Sequence, residues 1–474
     1  MSHGNDGEVA GRRFFLVGIG GSGMMPLAMI LAGRGAIVAG SDRGLDQGRV
    51  PAKFDALRAM GIALFPQDGS GIVSPEQTVV ASAAVEETVA DMVAATRLAC
   101  PRLSRAALNA ALFNASRLPI GVAGTSGKST VTGMIATILH DAGVDPTVMN
   151  GAVMKDFARV DRPFASALVG RGPAYVSEVD ESDGSIALYA PRIAVLNNVS
   201  LDHKSLDELN GLFGDFIGKA QHAVVSADNA DAATLAMALP ASRVTRFSVE
   251  GEGDLVARDV AAAPFSIAFS LHHPGGTLPV ALRVPGRHNV SNALAALGAA
   301  SAAGVPLERA VAAIGTFTGL RRRFDLVGEA GGVAVIDDFG HNPDKIAATL
   351  DTLHAFAGRL LILFQPHGYG PLKVMRRELV EMFAVKLAAG DLLVMPDPVY
   401  QGGTVAREVT SADIVRDITV SGADACHIPD RAAAAAHLVA EAHAGDRIVV
   451  MGARDDTLSL LAADMLEQVR VKLA

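Results

Sequence analysis

Seven consecutive residues, Gly124-Thr125-Ser126-Gly127-Lys128-Ser129-Thr130, carry the plainest chemistry in this chain. They lie between an apolar run, LPIGVA, and an apolar helical stretch, VTGMIATIL. Glycines let backbone N–H groups turn inward around phosphate oxygens, and a helix starting there adds the positive end of its dipole. Lys128 is placed to neutralise the β- and γ-phosphates of a nucleotide, and Ser129 or Thr130 offers a hydroxyl of the kind Mg²⁺ takes. Gly127-Lys128-Ser129 fits the end of the general G-x-x-x-x-G-K-[ST] pattern, whose first glycine would fall on Val122; the loop is a short variant anchored on Gly124. The bland alternative, a strand–turn–helix with a surface lysine, leaves the combination of residue types unexplained.

Other polar residues stand just past apolar runs. The run AYVSEVD leads into Glu181, with Glu178, Asp180 and Asp183 nearby, and a carboxylate at this strand end can reach a metal bound to ATP. The run IAVLNNVS is followed by Asp202 and His203. A neutral imidazole is a metal ligand, although a lone histidine is more often structural. His288, Asn289 and Asn292 open a helical stretch, and the two asparagines, three apart, share a face from which amides can read an adenine edge. Helix capping by Asn289 is the plainer reading. The run Arg321–Arg323 reads as a solvated face, of which one arginine could steady phosphate charge.

A second glycine loop, Gly18-Ile19-Gly20-Gly21-Ser22-Gly23, follows the apolar run Phe14–Val17, and Asp42 ends the next run about 20 residues on. This is the dinucleotide fingerprint, and alone it points weakly to NAD. The phosphate physics is the same for any pyrophosphate, so the loop does not distinguish NAD from a UDP-sugar.

The elements that must position these residues alternate strand and helix. Apolar runs at 14–17, AIVAG and TVVAS (ending at Ser82) build one βαβ system. A second starts at LPIGVAG, and the polar stretch from about 245 to 285 reads as antiparallel hairpins. A third holds VAVIDDFG, LLILFQPHG, DLLVMPDPVY and DRIVVMGA. The expected fold is α/β with three domains: a Rossmann-like domain over 1–115, a P-loop ATPase-type domain over 116–319, and a Rossmann-like domain over 320–474. Ligands of open parallel sheets sit at the carboxyl ends of the strands.

Bulk properties narrow the function. A net charge of -9 argues against nucleic acid and anionic membranes as partners. Cys100 and Cys426 lack metal or redox spacing and read as two buried free thiols of a reducing compartment. No secretory signal or membrane span is evident in the sequence, so a cytoplasmic location is expected.

GTSGKST resembles the phosphate loop of the Mur ligase superfamily. The resemblance continues in order through Gly18–Gly23 with Ser41-Asp42, Glu178–Ser185, Asn197-Asn198 with Asp202-His203, Gly286-Arg287-His288-Asn289 with Asn292-Ala293, Arg322-Arg323-Phe324, Asp337–His341, and Phe364-Gln365-Pro366-His367. DESDGS and FQPH look most like the branch that joins L-alanine to UDP-N-acetylmuramate in peptidoglycan synthesis. The resemblance implies an ATP-dependent ligase: a carboxylate attacks the γ-phosphate, and an amine attacks the acyl phosphate. It implies ATP and Mg²⁺ as cofactors, and a UDP-sugar carboxylate and an amino acid as small-molecule substrates. The implied catalytic residues are Lys128, Glu181 and His203, with Ser129, Thr130, Glu181 and His203 at the metal. ATP would be held by Gly124 to Thr130, including Thr125, Ser126 and Gly127, together with His288, Asn289, Asn292, Arg323 and Asp338. The UDP-sugar would lie against Gly18, Gly20, Gly21, Ser22, Gly23, Asp42 and Ser82, and the acceptor near His341 and His367. A monomer or homodimer is expected.

The chain also departs from the alanine-adding pattern. Ser126 stands where a histidine is usual, Phe339 and Asn342 replace a tyrosine and a histidine, and Gly368, Gly370 and Pro371 follow His367 where arginines are expected. Lys373 is the nearest substitute, as a point charge without the bidentate geometry. A ligase with another amine acceptor or carboxylate donor, and a nucleotide-binding paralogue without turnover, therefore stay open. Lys219, a short helix beyond His203, is where a carbamylated bridging lysine would be sought; a surface lysine is the simpler reading.

Overall fold

The computed structural model describes residues 9–200, 204–399, 407–453 and 455–473. The chain divides into two compact units, Met1–Ala262 with Ser266–Gly319, and Leu320–Ala474 with the turn Ala263–Phe265.

The first unit holds two sheets. Strands β1 (Arg13–Val17), β2 (Ile37–Ser41), β3 (Ala63–Phe65), β4 (Thr78–Ala81) and β5 (Arg102–Ser104) form a parallel sheet in the order β3-β2-β1-β4-β5. The order reverses direction between β1 and β4, so the loop after β1 opens at the switch point. The helix Met24–Gly33 follows that loop and is apolar on nearly all sides, because it packs under both sheets of the unit.

The second sheet has ten strands: β6 (Leu118–Ala123), β7 (Thr147–Met149), β8 (Ala167–Leu168), β9 (Ala174–Glu178), β10 (Ile193–Leu196), β11 (His222–Ser226), β12 (Val244–Ser248), β13 (Leu255–Ala263), β14 (Ser266–His273) and β15 (Gly276–Leu282). Their order is β15-β14-β13-β12-β11-β10-β6-β9-β7-β8. The central strands are parallel and covered on both faces, which is why they read as unbroken apolar runs. Helix Lys128–Asp141 packs on β6, β7 and β9 beside helix Arg287–Ala302, which packs on β10–β12, and it is buried along most of its length. The stretch from 245 to 285 is only partly the expected set of hairpins. β14 and β15 are antiparallel, but β12 pairs with β13 in parallel, so the open parallel sheet extends two strands past β10–β11.

The second unit carries β16 (Asp325–Ala330), β17 (Val333–Asp338), β18 (Leu360–Gln365), β19 (Leu392–Met395), β20 (Ala425–His427) and β21 (Arg447–Gly452) in the order β16-β17-β21-β18-β19-β20. All pairs are parallel except the β16–β17 hairpin. Cys100 is buried and free, whereas Cys426, on the outer strand β20, is only half-buried. No helix among the described residues is long and apolar enough to cross a membrane.

Candidate active site

The ends of β6, β9 and β10 lie side by side, so their loops converge. The loop after β6 is Gly124–Gly127. Gly124 (φ +131°) and Gly127 (φ +84°) adopt backbone angles that a side chain disfavours. A Cβ on Gly127 would also lie 2.4 Å from Asn197 Nδ2 and 2.5 Å from Asn292 Oδ1. The loop is braced from β10: Ser126 N donates to Asn198 Oδ1 (2.9 Å), and Asn197 and Asn198 each donate to Ser126 O (3.2 Å). Thr125 Oγ1 contacts Asn198 Oδ1 (2.8 Å) and Ser200 Oγ (2.7 Å). Thr125 therefore holds the loop to its neighbour, while Ser126 is exposed.

Two carboxylates, Glu178 at the end of β9 and Glu181 in the loop after it, take different partners. Lys128 Nζ donates to Glu181 at 2.9 and 3.1 Å and to Gly124 O at 2.6 Å. Burial raises the Glu181 carboxyl above its ordinary range, against the pull of Lys128. Burial also pushes Asp180 up, but hydrogen bonds from Ser182, with Lys128 and Arg105 nearby, bring it below the ordinary range. Glu178 instead faces the start of helix Lys128–Asp141, where Ser129 Oγ donates to its carboxylate at 2.8 Å. The alternative carboxylate, not the expected Glu181, is the one beside the phosphate-loop hydroxyl. Thr130 is half-buried one position further along the helix, and Asp183 is exposed and caps Ser185 N. Asp202 and His203 lie outside the described residues. Among the described residues no cluster of three or more His, Cys, Asp or Glu is arranged to hold a metal.

Asn289 and Asn292 do not present free amides. Both are buried: Asn289 Nδ2 donates to Pro285 O (2.6 Å), Asn292 Nδ2 to Asn289 Oδ1 (3.0 Å), and Asn197 Nδ2 to Asn292 Oδ1 (2.8 Å). This ladder props the phosphate loop from below, and Asn289 is not a side-chain cap, since Gly286 occupies the cap position. Only His288 of the three stays exposed. Lys219 pairs with Asp215 (2.6 Å) and donates to Ala187 O (2.9 Å), as a surface lysine does.

In the first sheet, Gly18–Gly23 follow β1, Asp42 follows β2 and Ser82 follows β4, on three adjacent strands. Asp42 accepts from Gly20 N (2.8 Å) and Gly44 N (2.7 Å), so both oxygens serve to shape the loop. Gly21 and Ser22 are exposed at the loop's crest. Sequence reasoning missed Arg105, which opens the helix Arg105–Asn114. Its Nη1 would lie 2.2 Å from a Cβ on Gly23. The only signal was a basic residue opening a helix after β5, too common to single out.

In the second unit the ends of β17, β21 and β18 are adjacent. Asp338 accepts from Phe324 N (2.9 Å), Gly340 N (3.0 Å) and Thr349 Oγ1 (2.9 Å), and is buried. In this structure both of its carboxylate oxygens are engaged by these three donors. The arginine run is not a solvated face. Arg321 is exposed, but Arg322 is buried, donating to Gly452 O (2.7 Å) beside Asp337. Arg323 stacks on the Phe339 ring, 4.4 Å from its centroid. His341 and His367 meet edge to face, centroids 5.5 Å apart. Burial, with Lys345 nearby, pushes His341 down to about 4. Lys373 is taken by Glu408, and Arg376 by Asp417 (2.6 and 2.9 Å).

Three family descriptions match in succession: "Mur ligase family, catalytic domain" over residues 14–117, "Mur ligase middle domain" over 122–300, and "Mur ligase, glutamate ligase domain" over 322–454. The UDP-N-acetylmuramate–L-alanine ligase of Streptomyces coelicolor is 37% identical over 93% of this chain and 94% of its own. That of a Geobacter strain is 36% identical with the same coverage, 93% and 94%. Among solved structures, the UDP-N-acetylmuramate–alanine ligase of Thermotoga maritima superposes with a TM-score of 0.79 at 23% identity, over 97% of this chain and 99% of that one. A murein peptide ligase of Psychrobacter arcticus gives 0.71 at 24% identity over the same shares, 97% and 99%. With its phosphate loop, its three sheets and relatives matched along nearly their whole length, the chain belongs to the Mur ligase family of ATP-dependent ligases.

Proposed function

We propose that this ligase joins L-alanine to the carboxylate of UDP-N-acetylmuramate, with ATP activating the carboxylate as an acyl phosphate. The observation that carries the reading is the convergence of Lys128, Ser129 and the β9 carboxylates at one phosphate loop, in a chain whose full-length relatives bear that name. On this reading residues 1–115 hold the UDP-sugar, 116–319 hold ATP, and 320–474 supply the acceptor side. Gly18, Gly20, Gly21, Ser22 and Gly23 cradle the pyrophosphate, with Arg105 over Gly23, while Asp42 fixes the loop and Ser82 borders it.

Lys128 leaves Glu181 to meet the γ-phosphate, where its charge offsets the charge that develops during transfer. Ser129 and Glu178, 2.8 Å apart and both oxygen donors, fit Mg²⁺. When bound there, Mg²⁺ supplies Lewis-acid neutralisation of the phosphate oxygens. His203 is assigned to the same site by family resemblance. Thr130, one residue beyond, is a weaker candidate than Ser129. His288 is placed at the adenine, with Asn289 and Asn292 acting from beneath the loop. His341 and His367, which meet edge to face, are assigned to the acceptor side by family resemblance. The enzyme is expected to work in the cytoplasm, where ATP is supplied, as a monomer or homodimer.

A second reading, another amine acceptor, rests on the loop after His367. Gly368 (φ +146°) and Gly370 replace longer side chains, and the nearby Lys373 and Arg376 are already paired. The test is phosphate release from ATP with UDP-N-acetylmuramate across the twenty amino acids and a set of short peptides. Release with L-alanine alone supports the first reading. Release with a different amine supports the second, and none with this sugar moves the donor elsewhere.

A further inference from the structure

Behind the two phosphate cradles of the first unit lies a buried polar hub. Asn109, 2% exposed, sits one turn beyond Arg105 on the helix Arg105–Asn114. Its Oδ1 accepts from Tyr175 Oη (2.7 Å), and its Nδ2 donates to Ser177 Oγ (3.0 Å) and Tyr189 Oη (2.8 Å). All three partners are buried as well. Ser177 Oγ passes the chain on to Glu178 O at 2.9 Å. Phe113, one turn further, closes the hub edge-on against Tyr175 and Tyr189, with centroids at 5.9 and 5.2 Å. Asn114 adds a clamp, donating to Leu188 O and accepting from Ala190 N, both at 2.9 Å.

The partners' positions give the hub its meaning. Ser177 immediately precedes Glu178, and Tyr189 follows the 3-10 turn Ser185–Leu188. Asn109 thus grips both ends of the segment that carries Glu178, Asp180 and Glu181. The same helix face, one turn earlier, carries Arg105 over the glycine loop. One rigid helix therefore spans the cradle after β1 and the carboxylates opposite the cradle after β6. An apolar residue at 109 would pack the same helix, so the polar hub adds orientation beyond simple adhesion. We propose that Asn109 is a positioning residue, which sets Glu178 and Glu181 against the phosphate loop by holding Ser177 and Tyr189. The proposal rests on the assignment of those carboxylates to the ATP site.

The hub offers its own control. Ser177→Ala and Tyr189→Phe each remove one hold on the carboxylate segment, whereas Tyr175→Phe removes a bond of equal kind that does not flank it. Binding of a fluorescent ADP analogue to the full chain, titrated with Mg²⁺, needs neither the sugar nor the amine. Ser177→Ala and Tyr189→Phe are expected to raise the Mg²⁺ concentration for half-maximal binding three- to tenfold. They are also expected to lower kcat by a similar factor, with the nucleotide-sugar KM within twofold of wild type. Tyr175→Phe is expected to leave all three within twofold at a comparable loss in Tm. Three variants that change in proportion to Tm, or Mg²⁺ curves that all coincide with wild type, overturn the proposal. If Tyr189→Phe fails to fold, Ser177→Ala against Tyr175→Phe decides. Failure of wild type to turn over UDP-N-acetylmuramate would refute the substrate reading alone, because the nucleotide titration still reads the hub.

Discussion

Replacing Glu178 and Glu181 in turn by glutamine separates two roles that lie three residues apart. Each change keeps side-chain volume and removes one charge. Glu178 lies 2.8 Å from the Ser129 hydroxyl, at the position proposed for the metal. Losing an outer-shell partner of a bound metal typically costs 10- to 100-fold in affinity, and a direct ligand costs at least as much, or about 1.4–2.8 kcal/mol. Glu178→Gln should therefore raise the Mg²⁺ half-saturation of ATP turnover by at least about tenfold. Glu181 is 5% exposed and accepts twice from Lys128, at 2.9 and 3.1 Å. Breaking a buried pair from one side costs up to about 3–5 kcal/mol, but glutamine retains an acceptor and Gly124 O holds Lys128 as well, so about 1–3 kcal/mol is expected. That loss appears as a lower Tm without nucleotide. ATP then supplies Lys128 with a phosphate in place of the carboxylate, so the ATP KM should stay level or fall, and the Mg²⁺ curve should move less than about threefold. The assay is phosphate release against free Mg²⁺ at saturating substrates, paired with thermal melts. A large Mg²⁺ shift in Glu181→Gln with none in Glu178→Gln would refute the reasoning and return the metal to Glu181.

Three further outcomes follow from the geometry. Gly127→Ala forces a side chain into a left-handed backbone and onto two buried amides, so a loss of at least about 1–2 kcal/mol and of ATP binding is expected, read by melting and nucleotide titration. Asp42→Ala frees Gly20 N and Gly44 N and should raise the nucleotide-sugar KM about tenfold at an ATP KM within about twofold; equal changes in both would show a general loosening of the unit. His341 and Asp337 should tilt stability against pH in opposite directions. Burial, with Lys345, holds His341 near 4 when folded, so an unfolded chain takes up a proton between about 6.5 and 4 and stability falls as pH falls. Burial holds Asp337 near 6 against Arg322, so its contribution falls as pH rises from 3.8 to about 6. Melts of His341→Gln and Asp337→Asn between pH 4 and 7 should diverge from wild type with opposite slopes; parallel curves would contradict both assignments.

The phosphate loop was legible because its physics is local: two glycines, a lysine and a hydroxyl between a strand and a helix need no distant partner to be recognised. The parallel sheets were legible for the same reason, since strands covered on both faces must be apolar throughout. The polar residues around the site were less legible. Asn289 and Asn292 have the same sequence spacing whether they face a ligand or the loop beneath it, and only the position of Asn197 decides between the two. Asp338 and Arg322 likewise read as free charges until the backbone groups that they satisfy, Phe324 N and Gly452 O, are brought to them by β17 and β21. The parallel β12–β13 pair escaped notice because its polar residues mimic the alternation of a hairpin.

Strand pleat explains why the carboxylate assignment in particular needed three dimensions. Successive residues of β9 point to opposite faces. Tyr175 and Ser177 turn to the helix Arg105–Asn114, where Asn109 receives them. Glu178, out of step with them by one, turns to the helix Lys128–Asp141 and meets Ser129. Glu181 lies past the strand end, where the chain has left the pleat, and its side chain reaches Lys128 from the loop. A one-residue change of register would exchange Ser177 and Glu178 between the two helices, burying a carboxylate in the hub and leaving a hydroxyl at the phosphate loop. The pairing of β9 with β6, Ser177 against Gly121 and Glu178 against Val122, fixes that register, so the sheet itself determines which acid faces Ser129 of the phosphate loop.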